Sequence, residues 1–160
     1  MQYSIDNNTL SLTVKKSHFI LRFLLYFMSC VILLGPIIGF IISIKSGQPF
    51  HFKFLIGMAI SSIIGFYILR FALWNSFGKE IIELSPESIS YTTDYKIYRD
   101  KKNHKREGNL TFSYNPIGYI EDQMGCLTIN TGTGTIQSVV KMPIIDINTL
   151  IKELNTINNL

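Results

Sequence analysis

Six basic side chains fall within one short segment of the C-terminal half of the chain, and these residue types bind anions. They are Lys96, Arg99, Lys101, Lys102, Lys105 and Arg106, with Asp100 as the one acid among them. The segment 96–106 carries a charge of +5, whereas the rest of the chain from Lys79 onward carries −6. Clustered cations of this kind attract anionic lipid headgroups, at about 1 kcal/mol per basic residue near the surface, or acidic proteins.

Three interpretations of this basic segment stay open at the level of sequence. It could contact membrane lipid, it could bind a protein partner, or it could be a hairpin tip that charge keeps solvated. We expect no nucleic-acid partner, because aromatic residues are not interleaved through the segment and the surrounding domain is acidic.

The other polar motifs do not form a catalytic constellation. Thr131–Thr135 is glycine-rich like a phosphate loop, but it lacks a Walker lysine and the GxGxxG spacing, and it joins two predicted strands. Glu121 and Asp122 are adjacent, so in a strand they would point to opposite faces. Cys126 has no histidine near it in sequence, and the serines lack a nucleophile elbow. We therefore expect a protein that is not an enzyme.

Cysteine and histidine usage predicts neither a disulfide framework nor a metal site. Cys30 lies in an apolar run and Cys126 in the polar part of the chain, so the two thiols are expected in different phases. His18, His51 and His104 are far apart in sequence. We expect no metal and no cofactor.

Two apolar runs predict a transmembrane helical hairpin. Phe23–Ile44 is free of charge and, as a helix, would cross a hydrocarbon core of about 30 Å. Phe54–Leu69 is shorter but continues past Arg70 if that side chain snorkels. The predicted spans are residues 20–44 and 54–74, joined by a turn at Ser46–Pro49. The first run is too late and too long for a cleavable signal peptide.

Small residues recur every four positions in both predicted spans. They are Gly35, Gly39 and Ser43 in the first and Gly57, Ser61 and Gly65 in the second. A turn centred on Gln48 would put Gly39 opposite Gly57 and Gly35 opposite Ser61, where small side chains let helices approach in lipid. We interpret the stripes as an intrachain packing surface, and a homo-oligomer formed through the same motif is the alternative.

Basic residues near the span ends predict the orientation. The residues on the terminal side are Lys15, Lys16, Arg22, Arg70 and Lys79, against Lys45 and Lys53 in the loop. The positive-inside rule then puts both termini in the cytoplasm of a bacterium, with the hairpin in its inner membrane. Arg22 and Arg70 would lie about one turn inside that interface as anchors, together with Trp74 of an aromatic belt.

Hydrophobic alternation predicts strands on both sides of the hairpin. Residues 1–18 read as a β-hairpin that packs on the soluble domain, because an isolated hairpin is marginal in water. The spans and their flanks occupy 19–78, and a cytoplasmic domain occupies 79–160. Its predicted strands are Glu80–Leu84, Ile89–Tyr98, Asn109–Tyr114, Ile117–Glu121, Cys126–Asn130 and Thr135–Lys141. After Pro143 the period changes to that of one amphipathic helix.

An antiparallel meander that ends in an amphipathic helix is the pleckstrin-homology-like architecture. Trp74, Phe77, Gly78, Lys79 and Glu80 form a Trp-x-x-Phe-Gly-Lys-Glu segment. With the opening strand 8–14, this segment resembles uncharacterised bacterial two-span membrane proteins that carry a pleckstrin-homology-like domain. The resemblance implies an α+β membrane protein, with a two-helix transmembrane hairpin and a pleckstrin-homology-like β-barrel closed by a C-terminal helix. The long basic segment departs from the short turn usual in that family.

The expected function is that of a non-enzymatic, membrane-anchored interaction module at the inner leaflet. Its ligand would be a protein partner or an anionic lipid headgroup. The first alternative is an immunity or protection protein against a membrane-active or cell-wall-active toxin, which the small size and multiple spans allow. The second is a membrane enzyme that uses Arg22 or Arg70 on a lipid substrate.

Overall fold

The fold is of the α+β class, with two long apolar helices and two antiparallel sheets. A computed structural model describes residues 2–6, 8–47 and 52–158 of the 160. The helices are α1 Phe19–Lys45, α2 Phe52–Phe77 and α3 Ile144–Asn158, with a short 3-10 helix at Ile120–Asp122. The strands are β1 Tyr3–Asp6, β2 Thr9–Thr13, β3 Lys79–Leu84, β4 Ser88–Asp94, β5 Arg99–Lys105, β6 Thr111–Pro116, β7 Met124–Asn130, β8 Thr135–Gln137 and β9 Met142–Pro143.

Both α1 and α2 are long and apolar enough to cross a membrane. They contain 27 and 26 residues, and α1 is about 40 Å long at the α-helical rise per residue. In the most apolar 18-residue window of each helix only 6% of the residues are buried. A core helix of a water-soluble protein would bury most of such a window, so these two helices have the exposure pattern expected of lipid-facing segments.

A buried hydrogen bond and a pair of stacked rings join the two long helices. The hydroxyl of Ser29 on α1 is buried and donates a hydrogen bond to the carbonyl oxygen of Gly65 on α2, at 3.0 Å. The rings of Phe40 and Phe54 stack with centroids 5.5 Å apart. Hydrogen bonds between helices are worth roughly 0.6–1.7 kcal/mol in a membrane, so the Ser29 contact helps to fix the helix register.

The predicted pairing of small residues is wrong about which faces of the two helices meet. A Cβ at Gly35 or at Gly57 would meet nothing within 4 Å, and one at Gly39 would meet only the Phe54 ring at 3.9 Å. Ser61 instead donates its hydroxyl hydrogen bond back to Met58. The described contacts of α1 with α2 come instead from Ser29, Leu33 and Phe40. Gln48 and Pro49, in the predicted turn, lie outside the described residues.

Gly65 is the one predicted packing glycine whose missing side chain matters for close approach. A Cβ there would lie 2.6 Å from Cγ of Leu33 on α1. This separation is shorter than any relaxed carbon contact, so α1 and α2 can meet here only because residue 65 has no side chain.

The chain forms two compact units. Lys16–Ser76 forms the helical unit, and Met1–Lys15 together with Phe77–Leu160 forms the unit that contains the sheets and α3. The second unit is thus assembled from segments on both sides of the long helices.

The first sheet has the strand order β1-β2-β3-β4-β5, and every neighbouring pair is antiparallel. Its centre is the pairing of β2, which precedes α1, with β3, which follows α2. The register joins Thr13 to Lys79 at one end and Thr9 to Glu83 at the other. The N-terminal hairpin is therefore an integral part of this sheet.

The second sheet pairs β6, β7 and β8 in that order, and β9 pairs with the other end of β7. Helix α3 packs on β6, β7 and β9. The core of the unit consists of fully buried apolar side chains from both sheets and α3: Leu10, Leu12, Ile82, Ile89, Leu127, Ile129, Val140, Met142, Ile147, Leu150 and Leu154. Burying each such side chain stabilises the fold by about 1.5–3 kcal/mol.

Three predicted strands differ clearly from the observed ones. The predicted strand Ile89–Tyr98 corresponds to β4, which ends at Asp94 because the chain turns at Tyr95–Tyr98. Ile117–Glu121 is not a strand, because Gly118 has a φ of +93° and the chain turns into the 3-10 helix. The last predicted strand ends early, at Gln137, because the next two peptide groups after Ser138 donate their N–H groups to a side chain instead of to a neighbouring strand. Neither sheet closes into a barrel within the described residues.

We predict that Gly65→Ala destabilises the pairing of α1 with α2 by about 1–3 kcal/mol, because the new methyl group would overlap Leu33. Reversible unfolding of the full chain in mixed detergent micelles, followed by circular dichroism, measures this change. Gly57→Ala is the matched control, since open space surrounds that position and alanine favours a helix over glycine by about 1 kcal/mol. Equal stability of the two variants would contradict the packing at Gly65.

Candidate functional site

Most of the basic segment forms strand β5, so it is not the hairpin tip that one of the three interpretations assumed. The turn that precedes it is Tyr95–Tyr98, and Arg99–Lys105 pairs with β4 along its whole length. The segment has no apolar alternation, so its extended conformation depends on pairing with β4 and not on its own pattern. Five of the six basic residues are exposed, and Arg106 is half-buried.

Strand β5 is the last strand of the first sheet, so one side of its backbone faces outward. Tyr95 donates its N–H to the Tyr98 carbonyl at 3.0 Å, and Arg106 donates to Glu87 at 3.0 Å. In an antiparallel pair, hydrogen-bonded and non-hydrogen-bonded residue pairs alternate, so these two bonds show which residues of β5 bond to β4. Of the other residues, Arg99, Lys101 and Asn103 direct their backbone N–H and C=O groups away from β4. This row is a template for one more strand.

The side chains of β5 divide between the two faces of the sheet. Arg99 and Lys101 form ion pairs with Asp94 at 2.8 Å and with Glu83 at 3.7 Å. Exposed pairs of this kind are typically worth less than 1 kcal/mol, so both cations stay able to exchange partners. Lys102 and Lys105 form no ion pair within the described chain. The basic residues are thus a row about 20 Å long and not one compact cluster.

The turn before β5 contacts Phe77 and is held by bonds within itself. The ammonium group of Lys96 sits 4.3 Å from the ring centroid of Phe77, the last residue of that helix. Lys96 has a φ of +74°, and its backbone N–H donates to Oδ1 of Asp94 at 2.7 Å. The Tyr95 and Tyr98 rings stack with centroids 4.5 Å apart. These contacts hold the turn in one conformation.

The glycine-rich turn at residues 131–134 supports the other end of β5. Thr133 donates its hydroxyl hydrogen bond to the Lys105 carbonyl at 2.8 Å, and Glu107 donates its N–H to the Thr131 carbonyl at 2.8 Å. Gly132 has a φ of +84°, and a Cβ there would lie 1.9 Å from the Glu107 carbonyl oxygen. This turn therefore connects the two sheets.

An open groove of about 410 Å³ lies beside Arg106. Its walls are formed by Asn8, Leu84, Ser85, Pro86, Arg106, Gly108, Asn109 and Ile157. Arg106 is the single charged side chain of this lining, and its Nε donates to the Gly108 carbonyl at 3.2 Å. The groove does not gather the other basic residues, so the six predicted site residues do not share one pocket.

The predicted interfacial anchors are partly covered side chains of the long helices. Arg22, Arg70 and Trp74 are all half-buried. Arg22 lies one turn into α1, and Arg70 lies about two turns before the end of α2. These positions place each guanidinium within snorkelling reach of a helix end.

One buried carboxyl group, that of Glu80, belongs to the segment that carries the family resemblance but was not predicted as a site residue. It follows α2 on β3, is 0% exposed, and accepts hydrogen bonds through Oε1 from the Tyr91 hydroxyl at 2.8 Å and from the Val139 and Val140 N–H groups at 2.6 and 3.3 Å. Its Oε2 has no partner within the described chain. Loss of solvation therefore raises the pKa of Glu80, although the backbone and Tyr91 hydrogen bonds oppose this. The alternation of β3 could have identified this burial from the sequence, because Glu80 lies on the same face of the strand as the apolar Ile82.

The pKa values of two neighbours of Glu80 are also raised, which makes both side chains less reactive. Burial, followed by the charge of Glu80, raises the pKa of the Tyr91 phenol. The same two causes raise the pKa of the Cys126 thiol, which is 1% exposed. A buried thiol with a raised pKa is a poor nucleophile. The arrangement can link the first sheet to the segment between β8 and β9, and it gives no substrate access to these groups.

Within the described residues, no group of three or more His, Cys, Asp or Glu side chains could hold a metal ion. His51 lies outside those residues. Glu121 and Asp122 fall in the 3-10 helix, which is not the strand end that the sequence predicts for them.

Comparison with known proteins gives the chain no relatives from which a role could be carried over. No protein-family model matches it, and no curated protein and no solved structure does so either. The resemblance carried by Trp74 and Phe77–Glu80 therefore stays a prediction, and functional inference depends on the geometry above.

We predict that Glu80→Gln gains stability relative to the natural chain as the pH rises from about 4 toward 7. The folded state holds the Glu80 proton more tightly than the unfolded state. Its contribution to stability is therefore complete below the unfolded pKa of about 4.3 and is lost as the pH rises through the folded pKa. Denaturant unfolding of the full chain in micelles at several pH values, followed by near-ultraviolet circular dichroism, measures the difference.

The control for Glu80→Gln is Glu83→Gln, which removes a carboxylate from the opposite, exposed face of the same strand. A stability difference between Glu80→Gln and the natural chain that stays constant or shrinks with rising pH would contradict the raised pKa.

Proposed function

We propose that this chain is a non-enzymatic, membrane-anchored binding module that takes an acidic protein segment on strand β5. In this proposal α1 and α2 cross the inner membrane of a bacterium, and both termini and the sheet-containing unit lie in the cytoplasm. The observation that carries the proposal is an edge strand that combines outward backbone groups with basic side chains.

Membrane anchoring is supported by the length, composition and exposure of the two helices. The pairing of β2 with β3 supports a location of both helix-flanking segments on one side, because the chain that leaves after Thr13 must return at Lys79. The excess of basic residues at these flanks, compared with Lys45 and Lys53 in the loop, favours the cytoplasmic side.

A pleckstrin-homology-like fold of the soluble unit is supported by its antiparallel meander in two sheets and by its C-terminal helix. In that arrangement α3 covers the second sheet, while the first sheet ends in the exposed strand β5. We infer a family relationship from the fold plan together with the Trp74 and Phe77–Glu80 segment.

A protein partner is favoured over lipid on β5, because lipid headgroups offer charge but no strand. An extended peptide beside β5 would pair with the outward backbone groups of Arg99, Lys101 and Asn103 and place acidic side chains next to the basic ones. Self-association through β5 is disfavoured by the same geometry, since two copies would set cation against cation. The shielding of Glu80, Tyr91 and Cys126 supports a role without catalysis.

We predict that Lys102→Gln with Lys105→Gln weakens binding of a short peptide of alternating glutamate and threonine by roughly tenfold, or about 1.4 kcal/mol. The loss is expected because these exposed cations form no ion pair within the described chain. Fluorescence anisotropy of the labelled peptide, with the full chain in nanodiscs of zwitterionic lipid, measures the affinity.

The matched control is Lys141→Gln with Lys152→Gln, which removes the same charge from exposed positions away from β5. A peptide N-methylated at alternate residues keeps its charge but cannot complete a strand ladder, so it should bind poorly. Equal weakening by the two double variants, or equal binding of the methylated peptide, would overturn strand addition on β5.

A further inference from the structure

The turn Tyr95–Tyr98 presents an exposed aliphatic side chain beside the end of α2. Ile97 is 74% exposed, while its neighbour Lys96 lies over the ring of Phe77, which is itself 43% exposed. Phe77 belongs to the same compact unit as the turn, and it is also the last residue of a helix long enough to span a bilayer, so the chain passes into that helix directly beside the turn.

Several contacts within the turn hold Ile97 outward. The stacked Tyr95 and Tyr98 rings, the backbone bond between these two residues at 3.0 Å and the bond from the Lys96 N–H to Asp94 all constrain it. A constrained, exposed isoleucine loses little conformational entropy when another surface covers it.

The charges at this end of the sheet favour an anionic surface as the one that covers Ile97. The pairing register brings Lys79, Asp94 and Arg99 into one row across three strands. With Lys96, the row and the turn hold three basic groups against one acidic group. An apolar tip flanked by cations is the pattern of residues that enter the headgroup region of anionic bilayers.

We infer that the turn Tyr95–Tyr98 docks on the anionic membrane leaflet, with Ile97 in the headgroup layer and Lys96 and Arg99 facing lipid phosphates. This docking rests on the part of the proposed function in which α2 crosses the membrane. It is independent of any partner on β5, and it would fix the orientation of the soluble unit against the lipid surface.

The experiment uses nitroxide labels on single introduced cysteines in the full chain, reconstituted in nanodiscs with phosphatidylglycerol. Cys30 is replaced by alanine because it is exposed, whereas Cys126 is buried and a sample without an introduced cysteine checks its labelling. Labels at Ile97→Cys, Ile145→Cys and Ile64→Cys report accessibility to molecular oxygen and to a water-soluble nickel chelate. Ile145 on α3 is the matched control, with 75% exposure, and Ile64 lies within α2.

We expect the label at position 64 to be far more accessible to oxygen than to the nickel chelate, and the label at position 97 to be moderately more accessible to oxygen. The label at position 145 should be more accessible to the nickel chelate. Replacing phosphatidylglycerol with phosphatidylcholine, or adding Lys96→Gln, should shift position 97 toward the nickel chelate. Equal nickel access at 97 and 145, with 64 still in lipid, would overturn the docking alone. Nickel access at position 64 would overturn both the docking and the membrane anchoring on which it rests.

Discussion

The antiparallel pairing of β2 with β3 joins the two segments that flank the long helices and so determines the path of the chain between them. These strands flank the two long helices in the sequence, and their register brings Thr13 beside Lys79. A chain that passes through two long apolar helices between paired residues must leave and return at the same place. The pairing therefore requires a helical hairpin, and it makes one sheet out of segments that are distant in sequence.

That sheet also explains where polar groups and charges lie. Strand β3 is central and carries Glu80 on its inner face, where the carboxyl group accepts N–H groups from the segment after β8 and so joins the two sheets. Strand β5 is at the edge, and an edge strand rich in lysine and arginine resists uncontrolled pairing with other chains. In the proposed function, the same charges would make the edge selective for an acidic strand.

The sequence predicts the helices well because charge is excluded from two long runs, and the α+β class follows from the change of period after Lys79. Strand β5 could not be predicted, since a segment without apolar residues becomes extended only when β4 offers a partner. The small-residue stripes indicate that the helices meet, but rotation about each axis depends on larger residues such as Leu33 and Phe40. Of the candidate site, composition identifies the cations, whereas their spread along an edge needs the register.

Side-specific labelling of single cysteines tests the central constraint most directly. With Cys30 replaced by alanine, Ser4→Cys on β1, Ser46→Cys after α1 and Lys152→Cys on α3 are all exposed positions for a membrane-impermeant maleimide. We expect positions 4 and 152 to react only in inverted membrane vesicles, and position 46 only in intact cells. Reaction of positions 4 and 152 from opposite sides, or of all three from the same side, would contradict this expectation.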